Sequence, residues 1–129
     1  MKDKPKVAVL GGGSWATAII KMLSENLDTI GWYIRNERTI THIKKNHHNP
    51  NYLPSAELNP EILYISKDIN KIASKFDILI FAIPSAFLKT ELEKLKIPLI
   101  NKIIFSAIKG IEPETGLIIG EYFNEHYNI

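Results

Sequence analysis

Short apolar runs alternate with longer amphipathic stretches along the chain. The apolar runs predict five strands, at residues 6–10, 29–35, 62–66, 77–83 and 102–107. Most of these runs are continuous rather than alternating, which is typical of parallel strands covered on both faces. Strand–helix alternation of this kind indicates βαβ units, so the pattern predicts an α/β fold with a doubly wound, mostly parallel sheet in a single domain.

Helices are predicted between the strands. Apolar residues at i, i+3 and i+4 spacing predict the first helix, over about residues 15–26. Asn36 and Asp68 are suitable N-caps, so each is expected to precede a helix. Ser85 opens a further helical pattern, and Pro113 suits the first turn of a last helix, where its missing N–H costs nothing.

One polar segment, residues 46–61, interrupts this alternation. It contains three prolines and five Asn or Ser residues, so it predicts a long structured loop, a feature that is often functional. His47 and His48 lie within it. Adjacent side chains point apart in regular structure and no carboxylate pair completes a ligand set, so no metal site is expected here.

Composition agrees with an ordinary globular protein. The chain has 129 residues, of which 45% are hydrophobic and 23% charged, as expected of one domain. A net charge of +2 is too small to indicate a nucleic-acid partner. The lack of cysteine excludes disulfides and thiolate chemistry in this chain and fits a cytoplasmic protein. No apolar run approaches the ~20 residues of a membrane span.

The most informative motif is VAVLGGGSWATA, at residues 7–18. Gly11, Gly13 and Ala16 occupy the three small positions of the pattern G-x-G-x-x-[G/A], which binds the pyrophosphate of a dinucleotide. Gly11 permits the tight turn, Gly13 lets the backbone approach the phosphates, and Ala16 keeps the helix close to the sheet. A glycine-rich turn without a ligand is the alternative, but the strand before it and the helix after it favour dinucleotide binding.

The residues that follow the glycines, Ser14 and Trp15, lie at the start of the predicted helix. The backbone N–H groups around Ser14 and Trp15 would face the phosphates at the positive end of the helix dipole. Both Trp15 and Trp32 are candidates for the core, and Trp15 is also a candidate for contact with the cofactor because it follows the glycine turn.

The end of the second predicted strand bears on the choice of dinucleotide. NAD sites usually have an Asp or Glu about 20 residues after the glycines, which holds the ribose 2′-hydroxyl. Here Arg35 stands 22 residues after Gly13, and residues 30–34 contain no acid. Because a guanidinium can pair with a 2′-phosphate, this favours NADP(H), or tolerance of both NADP(H) and NAD(H). A solvated surface arginine is the alternative.

Two further strand ends are expected near the cofactor, since ligands of such sheets lie outside the carboxyl ends of the strands. Pro84 follows the fourth predicted strand and can support the cofactor together with Phe87; a rigid turn beside a core phenylalanine is the alternative. Lys109 follows the fifth. A lysine there can hold a substrate phosphate or stabilise charge on a carbonyl oxygen, although a strand-end lysine taken alone is more often a surface charge.

Together these segments resemble the N-terminal domain of bacterial glycerol-3-phosphate dehydrogenase. That family has a glycine turn followed by Ser-Trp-Gly-Thr-Ala, a Trp and an Arg at the end of the second strand, an Asn-x-x-Tyr-Leu-Pro loop, a Pro-Ser strand end and a Lys-Gly-Ile-Glu segment. The matching positions are 11–18, Trp32 and Arg35, 49–54, 82–85 and 109–112. Ala16 is a departure, because the family usually has Gly there.

The resemblance implies a Rossmann-like fold and an NAD(P)-dependent oxidoreductase of glycerophospholipid synthesis. The reaction would interconvert dihydroxyacetone phosphate and sn-glycerol 3-phosphate. Ser14, Trp15, Arg35 and Lys109 would contact the dinucleotide, and Lys109 would also contact this phosphorylated three-carbon substrate.

The resemblance also implies that no catalytic residue lies in this chain. The proton-transfer lysine of the family belongs to a helical C-terminal domain, which residues 1–129 do not include. We therefore expect residues 1–129 to form an N-terminal dinucleotide-binding domain that binds cofactor but turns over poorly or not at all, because a missing general acid typically costs 10²–10⁴-fold in rate.

Two alternatives stay open at this point. The first is another NADP-dependent reductase with a similar N-terminal fold, against which residues 52–54 and 109–112 argue. The second is a non-catalytic NADP(H)-binding module that acts as a sensor or assembles with a partner. Apolar surface left where a second domain docks would favour a homo-oligomer.

Overall fold

A computed structural model of the chain describes residues 5–50 and 57–107. The strands in that part are β1 (Val7–Leu10), β2 (Ile30–Tyr33), β3 (Leu63–Ser66), β4 (Ile78–Phe81) and β5 (Ile103–Ser106). The helices are α1 (Ser14–Leu23), α2 (Glu37–Asn46), α3 (Ile69–Lys75) and α4 (Ser85–Leu92), and a 3₁₀ turn (Pro60–Ile62) precedes β3. Each of the five predicted strands is therefore present, although each is shorter than predicted.

The five strands form one sheet in the order β3-β2-β1-β4-β5, and every neighbouring pair is parallel. The chain moves outward from β1 to β3 and then crosses back to place β4 on the other side of β1. This reversal is the topological switch point of a doubly wound sheet, and a crevice opens there at the carboxyl ends of β1 and β4. The predicted doubly wound α/β fold is confirmed.

The sheet separates two layers of core. Successive side chains of a strand point to opposite faces, so Ala8 and Leu10 pack with α3 and α4, whereas Val9 packs with α1 and α2. Every residue of β1 and β2 is buried. Continuous apolar runs thus correspond, in these strands, to coverage on both faces.

Helix starts agree with the capping residues in the sequence. The side chain of Asn36 accepts hydrogen bonds from the N–H groups of Arg38 and Thr39, at 2.9 and 3.4 Å. The side chain of Asp68 accepts one from the N–H of Asn70, at 2.9 Å. Both predicted N-caps are confirmed, because each satisfies N–H groups that the first helical turn leaves without a partner.

The extent predicted for the first helix is wrong. The first helix was expected to reach about residue 26, but α1 ends at Leu23. Beyond it, the N–H groups of Glu25 and Asn26 donate to the carbonyl oxygens three residues back, at 3.4 and 3.1 Å, so the α-helical bonding to the fourth residue back is interrupted. The apolar run of β5 is less covered than those of β1 and β2, since Ile103 and Phe105 are each 56% exposed.

The long segment 46–61 is anchored at both described ends. His47 ends α2 in the left-handed conformation, with a φ of 64°. Its carbonyl oxygen accepts a hydrogen bond from the N–H of Leu58 at 2.7 Å, and Leu58 is buried in the core. The Tyr-Leu-Pro part of this segment and the helix expected at Pro113 lie outside the described residues.

Candidate functional site

The turn after β1 requires glycine at its first position. Gly11 has a φ of +134°, and a Cβ built on it would lie 2.5 Å from the carbonyl oxygen of Ala82, just after β4. The backbone here is held from the other side by β2: the N–H of Gly11 donates to the Tyr33 carbonyl oxygen at 2.9 Å, and Trp32 Nε1 donates to the Gly11 carbonyl oxygen at 2.6 Å. The turn is therefore hydrogen-bonded to β2 and lies closely against the backbone just after β4.

Gly13 has a different role. Its φ of −82° is ordinary, but a Cβ built on it would meet no atom within 4 Å, so open space lies in front of it. Gly13 is also the N-cap of α1, and a glycine has no side chain with which to satisfy the first N–H groups of the helix. Those N–H groups and the positive end of the helix dipole remain available to an anion.

A buried polar network contacts the backbone carbonyl groups of the glycine turn. Asn49 Nδ2 lies 3.1 Å from the Gly12 carbonyl oxygen and 3.1 Å from Thr17 Oγ1. The Thr17 hydroxyl in turn donates to the carbonyl oxygen of Gly13 at 2.8 Å. Asn49 and Thr17 are both fully buried. The conformation of the turn thus depends on a side chain from the loop after α2.

A cleft of about 270 Å³ opens at the carboxyl ends of β1, β2 and β4. Three segments line it: the glycine turn, the end of β2 with the start of α2, and the turn from β4 into α4. Arg35 and Phe87 face each other across part of this cleft, with the guanidinium carbon 5.7 Å from the ring centroid. Phe87 is half exposed, so the alternative that it belongs to the core is wrong.

An ionisable cluster closes one end of the cleft. Tyr33 Oη donates to Glu91 Oε2 at 2.5 Å, and the ammonium group of Lys94 lies 3.0 Å from the same oxygen. Burial, and then the hydrogen bond to Glu91, raise the pKa of Tyr33 well above its ordinary value. Tyr33 therefore keeps its proton and acts as the donor.

The predicted site residues fall into three groups. Gly11, Gly13 and Arg35 line the cleft together. Ser14 and Trp15 begin α1 beside the cleft, where both are exposed, and they are not among its lining residues. Lys109 lies outside the described residues.

The two tryptophans separate clearly in burial. Trp15 is 57% exposed, so the alternative that places it in the core is wrong. Trp32 is fully buried, which confirms its place in the core.

Three residues of the site are not among those predicted from the sequence: Asn49, Tyr33 and Glu91. Asn49 begins the Asn-x-x-Tyr-Leu-Pro segment, in which the sequence gives no sign of a contact with the glycine turn. Glu91 interrupts the apolar stripe of α4, four residues after Phe87 and three after Leu88. A charged residue on the apolar face of a predicted helix is a signal that the sequence pattern offers. Tyr33 had no distinguishing signal, since it ends a buried strand like any core aromatic.

Other ligand classes find less support in the described part of the chain. No group of three or more His, Cys, Asp or Glu side chains there is placed to hold a metal ion. The rings of His42 and His48 meet edge to face, with centroids 4.8 Å apart. No helix among the described residues has the length and apolar character to cross a membrane.

A glycine turn at the switch point of a parallel sheet, leading from the central strand into a helix, defines the class of dinucleotide-binding α/β domains. The chain belongs to one family of that class. The family described as "NAD-dependent glycerol-3-phosphate dehydrogenase N-terminus" matches residues 6–129.

Curated relatives and solved structures agree with this family. A glycerol-3-phosphate dehydrogenase [NAD(P)+] of Lysinibacillus sphaericus is 38% identical over 122 residues, which are 93% of this chain and 36% of that protein. An enzyme of the same name from Pseudomonas paraeruginosa is 30% identical over 125 residues, 97% of this chain and 36% of that protein. These matches favour neither alternative, the other reductase or the non-catalytic module.

Two solved structures show the same fold. The glycerol-3-phosphate dehydrogenase of Coxiella burnetii has a TM-score of 0.83 at 18% identity, over 98% of this chain and 38% of that one. The enzyme of Plasmodium falciparum has a TM-score of 0.81 at 24% identity, over 97% of this chain and 38% of that one. The chain thus spans little more than a third of the length of the proteins it matches.

Proposed function

We propose that this chain is the cofactor-binding part of an NAD(P)-dependent glycerol-3-phosphate dehydrogenase. The reaction would be hydride transfer between the dinucleotide and a small phosphorylated compound, interconverting dihydroxyacetone phosphate and sn-glycerol 3-phosphate for glycerophospholipid synthesis. The glycine turn carries this proposal: Gly11 admits no side chain, and Gly13 faces open space at the start of α1.

The residues present fit a dinucleotide. Open space at Gly13 and the uncapped first turn of α1 suit the pyrophosphate, because backbone N–H groups and the helix dipole both favour negative charge there. A side chain at Gly13 would occupy that space. The bound nicotinamide would supply the hydride. Ser14 and Trp15 are proposed to contact the phosphates through the first turn of the helix.

Arg35 is proposed to bind the 2′-phosphate of NADP(H). It follows the end of β2 by two residues, lines the cleft and is exposed, so its guanidinium is available to an anion at the position where an NAD site usually has an acid. The cofactor is therefore proposed to be NADP(H) in preference to NAD(H). The relatives are named for NAD(P)+, which covers both.

Lys109 is proposed to contact both cofactor and substrate. Its support is sequence position alone: it follows the last residue of β5, Ser106, by three residues, and the carboxyl ends of these strands border the cleft. The proton-transfer group is proposed to lie in a part of the enzyme beyond the matched segment. Residues 1–129 are then expected to bind cofactor with little or no turnover.

Association between copies of the chain is also a proposal. The exposed apolar residues Ile100, Ile103 and Phe105 support contact between copies of the chain along β5, since such patches mark association surfaces. Sedimentation of the wild type and of Phe105→Lys at rising concentration tests this; equal monomer fractions would contradict it.

A chain without cysteine is compatible with the reducing cytoplasm, where we propose that the enzyme acts.

The decisive experiment is calorimetric titration of the purified chain with NADPH and with NADH. We expect NADPH to bind more tightly. Equal binding of the two would remove the role proposed for Arg35 and keep the dehydrogenase assignment. Binding of neither would overturn the proposed function for this chain. Measurable oxidation of NADPH by the chain with dihydroxyacetone phosphate would contradict the proposal that proton transfer depends on residues elsewhere.

A further inference from the structure

Glu91 is a buried acid in a cleft proposed to bind a polyanion. Only 3% of the residue is exposed, yet it lines the cleft together with Arg35 and Phe87. The hydroxyl of Tyr33 and the ammonium of Lys94 both contact Oε2, at 2.5 and 3.0 Å. The other oxygen, Oε1, makes no hydrogen bond to the described residues, so one acceptor of this carboxylate is left for a ligand.

The chemistry of a carboxylate limits what can bind there. A phosphate is excluded, because two like charges at contact distance repel strongly in a partly buried site. A group that binds Oε1 must be a hydrogen-bond donor. Because the ammonium of Lys94 already balances the charge of the Glu91 carboxylate, a neutral donor leaves no net charge at this end of the cleft. Leaving the acceptor without a partner in the complex would cost binding energy, since water is displaced from the cleft.

The arrangement of the cleft indicates which donor this is. The pyrophosphate is proposed to lie at Gly13 and the ribose at Arg35, two residues after the end of β2. Phe87 and Glu91 lie beyond these on α4, one helical turn apart. Arg and Phe side chains are the groups on which bases stack, so the region between β2 and α4 suits the adenine ring.

We propose that Glu91 Oε1 accepts a hydrogen bond from the exocyclic amine of the adenine of the bound dinucleotide, and so selects adenine over bases with a carbonyl oxygen at that position. This inference rests on the proposed function. Tyr33 is a positioning residue in it: as a donor to Oε2 it orients the carboxylate, and Oε1 is then directed to the ligand.

Paired dinucleotides that differ at the 6-position of the purine, together with the N1 proton that the carbonyl form carries, test this directly. The affinities of the chain for NADH and for the hypoxanthine analogue of NADH, in which a carbonyl oxygen replaces the amine, are measured by calorimetry. We expect the wild type to prefer NADH by about tenfold or more, because a hydrogen bond to a charged group is replaced by repulsion between two acceptors. Glu91→Gln should lose or invert this preference, since an amide can donate to a carbonyl.

Two further variants complete the design. Glu93→Gln removes an exposed carboxylate just past the end of α4, and it should keep the wild-type preference. Tyr33→Phe keeps the carboxylate but removes its anchor, and it should reduce the preference without inverting it. If Glu91→Gln fails to fold, the wild-type ratio and the Tyr33→Phe ratio decide the question.

The outcomes separate this inference from the function on which it rests. Binding of NADH with no discrimination against the analogue, or unchanged discrimination in Glu91→Gln, would overturn the role of Glu91 and leave the proposed function standing. Absence of binding by NADH and NADPH alike would overturn both.

Discussion

The side-chain amide of Asn49 lies 3.1 Å from the carbonyl oxygen of Gly12, a residue 37 positions earlier in the chain. The same nitrogen lies 3.1 Å from Thr17 Oγ1, and both side chains are fully buried. The glycine turn is therefore supported by a residue that is not part of the glycine motif, from the loop that follows α2.

Replacement of Asn49 by Asp tests this support. The variant has almost the same shape but places a carboxylate oxygen opposite the Gly12 carbonyl, where the wild type has a donor. We expect the free energy of unfolding to fall by about 2–3 kcal/mol, because a buried acceptor loses its partner and a charge is buried. Affinity for NADPH should fall with it. Denaturant unfolding and calorimetry measure both effects.

The exposed Asn26 offers a matched control. Asn26→Asp should change the free energy of unfolding by less than about 0.5 kcal/mol, as surface substitutions usually do. A loss in Asn49→Asp no larger than this would show that the hydrogen bond to Gly12 contributes little.

The two outer glycines of the turn should respond differently to alanine. Gly11→Ala forces a side chain into a φ of +134° and to 2.5 Å from the Ala82 carbonyl oxygen. It should lower the free energy of unfolding by more than about 2 kcal/mol. Gly13→Ala meets no protein atom within 4 Å, so its cost should stay within about 1 kcal/mol, mainly from the poorer helix cap.

Gly13→Ala should affect cofactor affinity more than it affects stability. The new methyl group in Gly13→Ala occupies the space proposed for the pyrophosphate, so a folded variant with weakened NADPH binding is expected. Thermal unfolding and calorimetry on the same sample report the two properties. Wild-type affinity in Gly13→Ala would argue against a phosphate at this position.

Arg35 should distinguish the two cofactors. Arg35→Ala is expected to weaken NADPH binding by roughly 10–100-fold, the usual range for hydrogen bonds to a charged group, and to weaken NADH binding much less. The wild-type preference for NADPH should also decline as salt is added, because the site is exposed. Arg38→Ala serves as the control, since Arg38 is exposed on α2 and does not line the cleft. Equal losses for both cofactors in Arg35→Ala would indicate a general role in binding.

Tyr33 should make stability depend on pH in the alkaline range. Its pKa is raised in the folded state by burial and by Glu91, so the folded chain holds this proton more tightly than the unfolded chain. The resulting stabilisation is complete below the ordinary tyrosine pKa of about 10 and is lost as pH rises above it. The free energy of unfolding should therefore decline above about pH 10.

Tyr33→Phe provides the comparison for this prediction. Absorbance of tyrosinate should show that Tyr33 stays unionised in the wild type until the chain unfolds. That late-ionising tyrosine should be missing from Tyr33→Phe, whose stability should decline less over the same range. An identical alkaline decline in both proteins would place the pH dependence in other groups.

The sequence by itself determined the order of the elements and the glycine turn. Strand positions, the caps at Asn36 and Asp68, and the glycine turn between β1 and α1 all depend on residues that are neighbours in the chain. Local periodicity and capping contain that information, because a helix cap or a tight turn is specified within a few residues. The place of Arg35 at the cleft followed from counting along the chain.

Only the tertiary structure decided which distant side chains complete the site. Asn49 reaches Gly12 across 37 positions, and Tyr33 reaches Glu91 across 58, so no local pattern connects either pair. The exposure of Ile103 and Phe105 could not be predicted either, because an apolar run does not distinguish a central strand from an edge strand. Periodicity reports which face of an element is apolar, but the elements that meet that face are chosen by the packing of the whole sheet.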